Sequence, residues 1–190
     1  MRKLISTLLV GLVCFAFAGC NSNQKKDKEV VQDLKKTTDD QPTVDTTPQT
    51  YFITGPEGWN QSDSMVAGAK QTKITSPSDG GGDRFAENIN VRTEAARGYN
   101  AASYADANFE TLKTQMPGVV IEDQGATTID GVPAHCYIYS LQYSGLDIKD
   151  IGWFLLKNDI AYVITCTALK LSFDRFEAKF RACANTFKIK

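Results

Sequence analysis

Residues 119–168 decide the fold, and they read VVIEDQGATTIDGVPAHCYIYSLQYSGLDIKDIGWFLLKNDIAYVITCTA. Four stretches rich in β-branched and aromatic residues have the composition of strands, at residues 119–129, 134–143, 151–156 and 160–168. They are joined by short turn sequences: Asp130-Gly131-Val132-Pro133, Ser144-Gly145 and Lys157-Asn158-Asp159. A crossover helix does not fit into so few residues, so we predict a largely antiparallel sheet.

A helix is predicted just before these strands. Ser103, with Asp106 three residues later, matches a capping box at its start, and Pro117-Gly118 ends it. Its apolar positions recur at helical spacing: Ala105, Phe109, Leu112 and Met116. One face of this helix is therefore expected to pack on the sheet.

A second helix is predicted after the last strand. Ser172 is placed to cap it, and Asp174 lies in the first turn, where a negative charge complements the helix dipole. An apolar stripe runs along it at helical spacing: Phe173, Phe176, Phe180, Ala184 and Phe187. A row of phenyl rings has no polar group to orient a ligand, so we interpret it as core that covers one face of the sheet.

Three further strands are predicted nearer the N-terminus, at residues 51–53, 65–75 and 88–92. A glycine-rich loop, residues 76–83, separates the last two. Strands and helices do not alternate along the chain, and this order is typical of the α+β class.

Length and composition restrict the function classes. The chain has 190 residues, enough for one domain with extensions. Its 21 Lys and Arg against 22 Asp and Glu give a net charge of -1, so no nucleic-acid partner is predicted. A single histidine excludes zinc sites with two or more imidazoles. No metal or cofactor is predicted.

The N-terminus has the pattern of an export signal. Residues 1–19 begin with Arg2 and Lys3 and continue in an apolar run that is too short to span a bilayer. The run ends in Phe17-Ala18-Gly19-Cys20, which resembles a bacterial lipobox; this implies that Cys20 is lipidated and becomes the mature N-terminus. An ordinary secretory signal cut near Ala18 is the alternative.

Residues 20–50 are predicted to be a flexible linker, because they are rich in Lys, Asp, Gln, Thr and Pro and have too few apolar residues for a core. Residues 51–190 then form the globular domain. The lipid anchor on Cys20 predicts a place in the cell envelope. Asn21 after the cysteine resembles outer-membrane sorting, which implies the periplasmic face of the outer membrane if the host has two membranes.

Catalytic patterns are few. Neighbouring strand residues point to opposite faces, so His135 and Cys136 are not expected to form a nucleophilic pair. The loop Asp79-Gly80-Gly81-Gly82-Asp83 lacks the spacing of a calcium loop and the Lys of a phosphate loop. Catalysis would need carboxylates such as Glu87, Asp147 or Asp150 to converge in a cleft.

The cysteine count predicts a candidate disulfide. With Cys14 removed and Cys20 lipidated, Cys136, Cys166 and Cys183 remain in an oxidising compartment, and an odd number leaves at least one thiol free. A bridge between Cys166 and Cys183 is the candidate. Buried free thiols that pack as small apolar groups are the alternative.

The order of these elements resembles the PsbP/DcrB-like superfamily over residues 51–190. The resemblance is carried by a strand before Pro56-Glu57-Gly58-Trp59, by Glu87-Asn88-Ile89-Asn90-Val91, by the helix that ends at Pro117-Gly118, by Gly131-Val132-Pro133-Ala134, by Ile160-Ala161-Tyr162-Val163-Ile164-Thr165 and by the Phe-rich last helix. It implies an α/β/α sandwich with a central antiparallel sheet. Members of that superfamily include a photosystem II subunit, a nuclear import factor and envelope lipoproteins, and most of them act by binding.

Three functions remain open at this point. The first is a non-enzymatic binding or accessory module with an envelope protein partner, for which Trp59 and the loop with Asp79 and Asp83 are the candidate contacts. Trp59 could instead close one end of the core. The second is a small-ligand or lipid-binding domain whose pocket between sheet and helix is lined by aromatic residues: Tyr137, Tyr139, Tyr143 or Trp153. The third is an enzyme.

Overall fold

The computed structural model describes residues 50–78, 80 and 85–190. The chain divides after Asp45, and the second unit, Thr46–Lys190, is compact. The described residues of this unit form nine strands and two helices, in the order β1 (Tyr51–Phe52), β2 (Asn60–Val66), β3 (Ala69–Thr75), β4 (Asn88–Ala95), α1 (Ala101–Gln115), β5 (Val120–Ile129), β6 (Val132–Tyr143), β7 (Leu146–Lys157), β8 (Ile160–Leu169), α2 (Phe173–Asn185) and β9 (Lys188–Ile189).

Seven of the strands form one antiparallel sheet, in the order β2-β3-β4-β8-β7-β6-β5. β8 is the central strand of this sheet, and it pairs with β4, with Val91 opposite Ile164. β1 and β9 pair separately, with Tyr51 opposite Ile189. The predicted antiparallel sheet is confirmed.

Four tight hairpins connect neighbouring strands, each through two residues with positive φ. Three of them lie where the sequence predicts turns: at Asp130-Gly131, Ser144-Gly145 and Asn158-Asp159. The fourth, Ala67-Gly68, falls inside the single strand predicted at residues 65–75, so that prediction is wrong. Positive φ at both turn residues matches the twist of the flanking strands, and Gly68 adopts it without strain.

α1 begins earlier than predicted, because Asn100 and not Ser103 is its N-cap. The Asn100 side chain accepts a hydrogen bond from the Ser103 backbone N–H at 2.9 Å, and the Ser103 hydroxyl lies 3.0 Å from the Asn100 backbone N. The capping box is therefore Asn100 with Ser103 rather than Ser103 with Asp106. Asparagine is as good a cap as serine, and sequence spacing alone does not choose between two such residues three positions apart.

α2 begins directly after Ser172, as predicted, and Asp174 lies in its first turn. The Ser172 side chain does not cap the helix. Its hydroxyl lies 3.2 Å from the Leu169 carbonyl oxygen and 3.4 Å from a carboxylate oxygen of Glu87. The start of α2 is thus fixed to the end of β8 and to the residue before β4.

The two helices cover opposite faces of the sheet. Alternation along β8 shows this: Tyr162 and Ile164 belong to the core under α2, and Ala161 and Val163 to the core under α1. The domain is an α/β/α sandwich, and the predicted fold class is confirmed. Because both cores lie in the unit Thr46–Lys190, this unit contains the apolar contacts that it needs to fold by itself.

The core under α2 is built on the predicted aromatic stripe. Phe173, Phe180 and Phe187 are fully buried, although Phe187 lies just beyond the end of the helix. Phe180 contacts the rings of Phe173, Phe176 and Trp59 at centroid distances of 6.0, 6.2 and 6.2 Å. This ring cluster joins the helix to the loop that precedes β2.

The substitution Phe180→Ala is expected to lower the free energy of unfolding by about 3–5 kcal/mol, because it removes a fully buried ring and leaves a cavity. Leu171→Ala is the matched control: Leu171 is fully exposed, so its loss should change stability by less than about 0.5 kcal/mol. Urea denaturation of Thr46–Lys190 measures both. Equal effects of the two substitutions would contradict this account of the core.

Candidate functional site

A cleft lies between the end of β3 and the first half of α2. It encloses about 270 Å³, and its lining combines aromatic, small and cationic side chains: Trp59, Ser76, Pro77, Arg175, Phe176 and Lys179. The structure therefore brings Trp59 together with the start of the loop 76–83, two features that the sequence analysis singled out separately.

Trp59 is held by the loop between β1 and β2. Its backbone N–H donates to the Pro56 carbonyl at 3.1 Å, and Gly58 in this turn has a φ of 78°. The loop passes close to β3 at Gly55, where an added Cβ would lie 2.8 Å from Ile74. Only glycine allows that approach without displacing Ile74. Gly55 therefore helps to determine the position of the Trp59 indole ring.

The indole ring of Trp59 is half-buried and serves two surfaces at once. It meets Phe176 and Phe180 edge to face, at centroid distances of 6.1 and 6.2 Å, and it also lines the cleft. The two interpretations of Trp59 are thus compatible: it closes one end of the core and still exposes part of its ring in the cleft.

Arg175 and Lys179 supply the positive charge of the cleft. They are exposed, lie one turn apart on α2, and each places its charged group 5.6 Å from the centre of the Phe176 ring. Neither forms an ion pair within residues 50–78, 80 and 85–190. The nearby Glu177 is paired with Arg181 instead, at 2.7 Å. Two cations thus flank an aromatic ring and are available to an anionic group.

These two cations were not predicted from the sequence, because only the apolar stripe of α2 was considered. Lys179 follows Phe176 by three positions and Arg175 by four. Residues three and four apart are neighbours on a helix surface, so the position of Lys179 next to both is a signal that could have indicated the site.

Glu87 fixes one rim of the cleft. It is 6% exposed, and its carboxylate accepts a hydrogen bond from the Ser76 hydroxyl at 3.1 Å and lies near the Ser172 hydroxyl. The Ser76 backbone N–H also donates to the Glu87 carbonyl, at 2.8 Å. Glu87 therefore joins the end of β3 to the start of α2, and this is a positioning role.

The three carboxylates that catalysis would require do not converge. Asp147 is exposed at the start of β7 and accepts a hydrogen bond from Gln142 at 3.0 Å. Asp150 is buried on the face of the sheet that α1 covers, whereas Glu87 lies against the start of α2. The structure gives this set no common cleft.

Asp150 is the most perturbed acid of this set. Burial raises its pKa from 3.8 to about 7, and hydrogen bonds with Thr167 and Tyr139 oppose the rise. One of its oxygens, Oδ1, has no hydrogen-bond partner within the described part of the chain. The protonated form is therefore favoured below about pH 7.

The aromatic residues considered for a ligand pocket do not line one cavity. Trp153 packs in the core under α2, and Tyr137, Tyr139 and Tyr143 lie on the opposite face, in or against the core under α1. Tyr137 stacks on Phe109 with 4.1 Å between centroids. These rings fill the core with their own contacts.

His135 and Cys136 lie on opposite faces of β6, as expected for neighbours in a strand. His135 is half-buried beside Tyr137, with 5.1 Å between ring centroids, and Cys136 packs against the core under α2. Burial also raises the pKa of the Cys136 thiol to about 11. This thiol is poorly suited to act as a nucleophile.

Cys136, Cys166 and Cys183 are free thiols in the structure, so the candidate bridge between Cys166 and Cys183 is not formed there. Both of these cysteines are buried in the core under α2, where they pack as small apolar side chains. Burial raises the pKa of Cys183 to about 11 and that of Cys166 well above its usual range. The sequence spacing contains neither the distance nor the direction that a bridge requires, so the bridge stays a prediction that a thiol count can test.

Three predicted site residues, Cys20, Asp79 and Asp83, lie outside the residues that the structure describes. Among the described residues, no group of three or more His, Cys, Asp or Glu side chains is placed to hold a metal ion. The helices described are also too short or too polar to cross a membrane.

Comparisons with known proteins identify the fold. Nothing matches the chain among protein-family models or curated proteins. Among solved structures, LpqN, involved in cell envelope biogenesis of Mycobacterium tuberculosis, has a TM-score of 0.61 at 15% identity, over 77% of this chain and 86% of LpqN. The cyanobacterial PsbP (CyanoP) of Synechocystis has a TM-score of 0.53 at 14% identity, over 80% and 98% of the two chains.

A third similar structure is a protein of unknown function from Pseudomonas aeruginosa, PA94, described as a putative regulator. Its TM-score is 0.56 at 16% identity, over 68% of this chain and 97% of that one. At such identities the similarity is one of fold. The domain therefore has a PsbP-like fold, as the resemblance implies.

The contribution of Asp150 to stability should fall as the pH rises from about 4 to 7, because the native state holds a proton on Asp150 that the unfolded chain releases at a pKa near 3.8. The stabilisation is complete below that value and is lost as the pH passes through about 7; it amounts to about 4 kcal/mol. Asp150→Asn stays neutral, so its stability relative to the wild type should increase over this range. Urea denaturation at several pH values measures the difference, and parallel pH profiles would contradict the prediction.

Thiol titration tests the state of the cysteines. Without reductant, the unit Thr46–Lys190 should react slowly when folded, because burial keeps the thiols protonated, and should show three thiols when denatured. A count of one after denaturation would instead support the Cys166–Cys183 bridge. Cys136→Ser is the matched control, since it should lower either count by one.

Proposed function

We propose that this chain is a lipid-anchored protein of the bacterial cell envelope, and that its PsbP-like domain is a non-enzymatic binding module. The domain binds an acidic segment of an envelope protein in the cleft between β3 and α2. Its anchor is the lipid on Cys20, joined to the domain by the linker of residues 20–50.

The observation that carries the proposal is the lining of the cleft. Trp59 and Phe176 offer apolar ring surface, and Arg175 and Lys179 stand beside it without an ion-pair partner among the described residues. Aromatic and arginine side chains are the groups that most often dominate protein interfaces. Together they favour a partner that presents a carboxylate next to an apolar side chain.

The size of the cleft favours a protein segment over a metabolite. Its volume of about 270 Å³ lies below the range of roughly 300–1,000 Å³ that is usual for small-molecule pockets. One or two side chains of a partner fit such a space. The alternative function, a small-ligand or lipid-binding domain, loses the support that a cavity among Tyr137, Tyr139, Tyr143 or Trp153 would have given.

The site residues considered for catalysis also favour binding over enzymatic activity. Glu87 has a positioning role, Asp147 is exposed, and Asp150 is a buried acid on the far face of the sheet. None of the similar structures named above is described as an enzyme.

The envelope location rests on the sequence of the N-terminus. The lipobox-like Ala18-Gly19-Cys20 predicts the anchor, and Asn21 predicts the periplasmic face of the outer membrane in a host with two membranes. The similar fold of LpqN, which is involved in cell envelope biogenesis, is consistent with that location.

The test is photo-cross-linking in cells, with a photoreactive amino acid at the exposed rim residue Pro77 of the full chain. A defined protein adduct is expected. In Arg175→Glu/Lys179→Glu its yield should fall at least about tenfold, because two like charges then face the acidic segment. Cys20→Ser should also lower the yield, because the domain is then no longer held at the membrane.

The matched control is Arg97→Glu/Lys157→Glu, which reverses the same number of exposed charges outside the cleft. Its adduct should equal that of the wild type. Thermal unfolding of all variants confirms that each is folded. An adduct that persists in the cleft variant, or that disappears in the control as well, would refute the cleft as the binding site.

A further inference from the structure

An exposed apolar patch lies where the chain enters the domain. Phe52 and Met65 are 50 and 68% exposed, and they are two of the six large apolar side chains that the described residues expose. Lys70 and Lys190 accompany them. We call these four residues the entrance patch.

The pairing of β2 with β3 makes the patch continuous. Met65 lies directly opposite Lys70, and cross-strand partners project from the same face. The Lys70 ammonium group lies 6.0 Å from the centre of the Phe52 ring. The Lys190 ammonium group lies 3.9 Å from the same ring. Phe52 is thus flanked by two cations, and Met65 extends the apolar surface towards the tip of the hairpin. Val66, the next residue of β2, projects from the opposite face of the hairpin.

The linker joins the domain at this patch. The Thr50 carbonyl accepts a hydrogen bond from the Lys190 backbone N–H at 2.8 Å, and β1 begins at the next residue. The residues that precede Thr50 therefore reach the domain beside Phe52. If Cys20 is lipidated, the polypeptide that leads from the lipid anchor joins the domain at this surface.

We propose that the entrance patch docks on the surface of a lipid bilayer. Phe52 and Met65 insert at the boundary between headgroups and acyl chains, and Lys70 and Lys190 lie at the level of the lipid phosphates. Apolar side chains are favourable in the acyl region. A lysine suits the boundary because its alkyl stem lies along apolar surface while its ammonium group stays among the polar headgroups. The orientation in cells rests on the anchor included in the proposed function.

A weak surface affinity is enough for such docking. A short flexible linker holds a tethered domain at an effective concentration in the millimolar range. A patch of two apolar side chains therefore needs only millimolar affinity to keep the domain on the membrane for much of the time.

Charge has a secondary part in this binding. Lys70 is paired with Asp63 at 2.9 Å, whereas Lys190 has no ion-pair partner among the described residues. The net positive charge of the patch is small, so apolar insertion carries most of the affinity. Anionic lipid should strengthen the binding only modestly.

The experiment uses the unit Thr46–Lys190 without its anchor and measures co-sedimentation with phosphatidylethanolamine and phosphatidylglycerol vesicles at millimolar lipid. The wild type should bind, and Phe52→Ser/Met65→Ser should bind roughly tenfold more weakly because it lacks two inserting side chains. Leu171→Ser is the control, because it removes an exposed apolar side chain outside the patch. Leu171 lies just before the start of α2, whereas β9 follows the other end of that helix. This variant should bind like the wild type.

The outcomes separate the alternatives. No binding of the wild type, or equal binding of the wild type and the patch variant, overturns the proposal. A dimer in solution that only Phe52→Ser/Met65→Ser dissociates overturns it in favour of a second copy as the occupant. A failure of the cleft would appear in the cross-linking yield at Pro77, whereas a failure of membrane docking would appear in co-sedimentation of the unanchored unit, so the two are distinguishable.

Discussion

The structure depends on the packing of the α2 phenyl rings against the sheet. Phe173 and Phe180 are buried between the helix and the strands, and Phe176 borders both this core and the cleft. Because Trp59 rests on Phe176 and Phe180, the same contacts fix the loop before β2. Core and candidate site are therefore one continuous set of rings, and a change in the position of α2 would alter both.

The sequence predicted the parts of the fold that carry strong local signals. β5 to β8 follow from apolar stretches and turn residues, and both helices follow from spaced apolar residues. β2 was missed because its sequence, NQSDSMV, is polar and all its residues are exposed, so no burial pattern marks it. The Ala67-Gly68 turn was missed with it, since alanine is a poor turn signal.

The candidate site could be predicted only in part. Trp59 stood out as a tryptophan beside a turn, and the loop that begins at Ser76 stood out through its glycines. Arg175 and Lys179 did not, because the sequence does not show that Trp59 and the end of β3 lie beside this part of α2. The same limit applies to Glu87: sequence marks it as an acid, but only its two serine neighbours, far apart in the chain, make it a structural anchor.

The pairing of β1 with β9 has a mechanical consequence. The residues before Thr50 are joined to the domain through β1, so tension on that segment loads Tyr51 first. Its ring is buried against Tyr162 and Phe187, at centroid distances of 6.3 and 5.3 Å, and its hydroxyl is hydrogen-bonded to Thr72 at 2.9 Å. Through these contacts Tyr51 transfers a force on the segment before Thr50 to the sheet, and it opposes the separation of β1 from the domain.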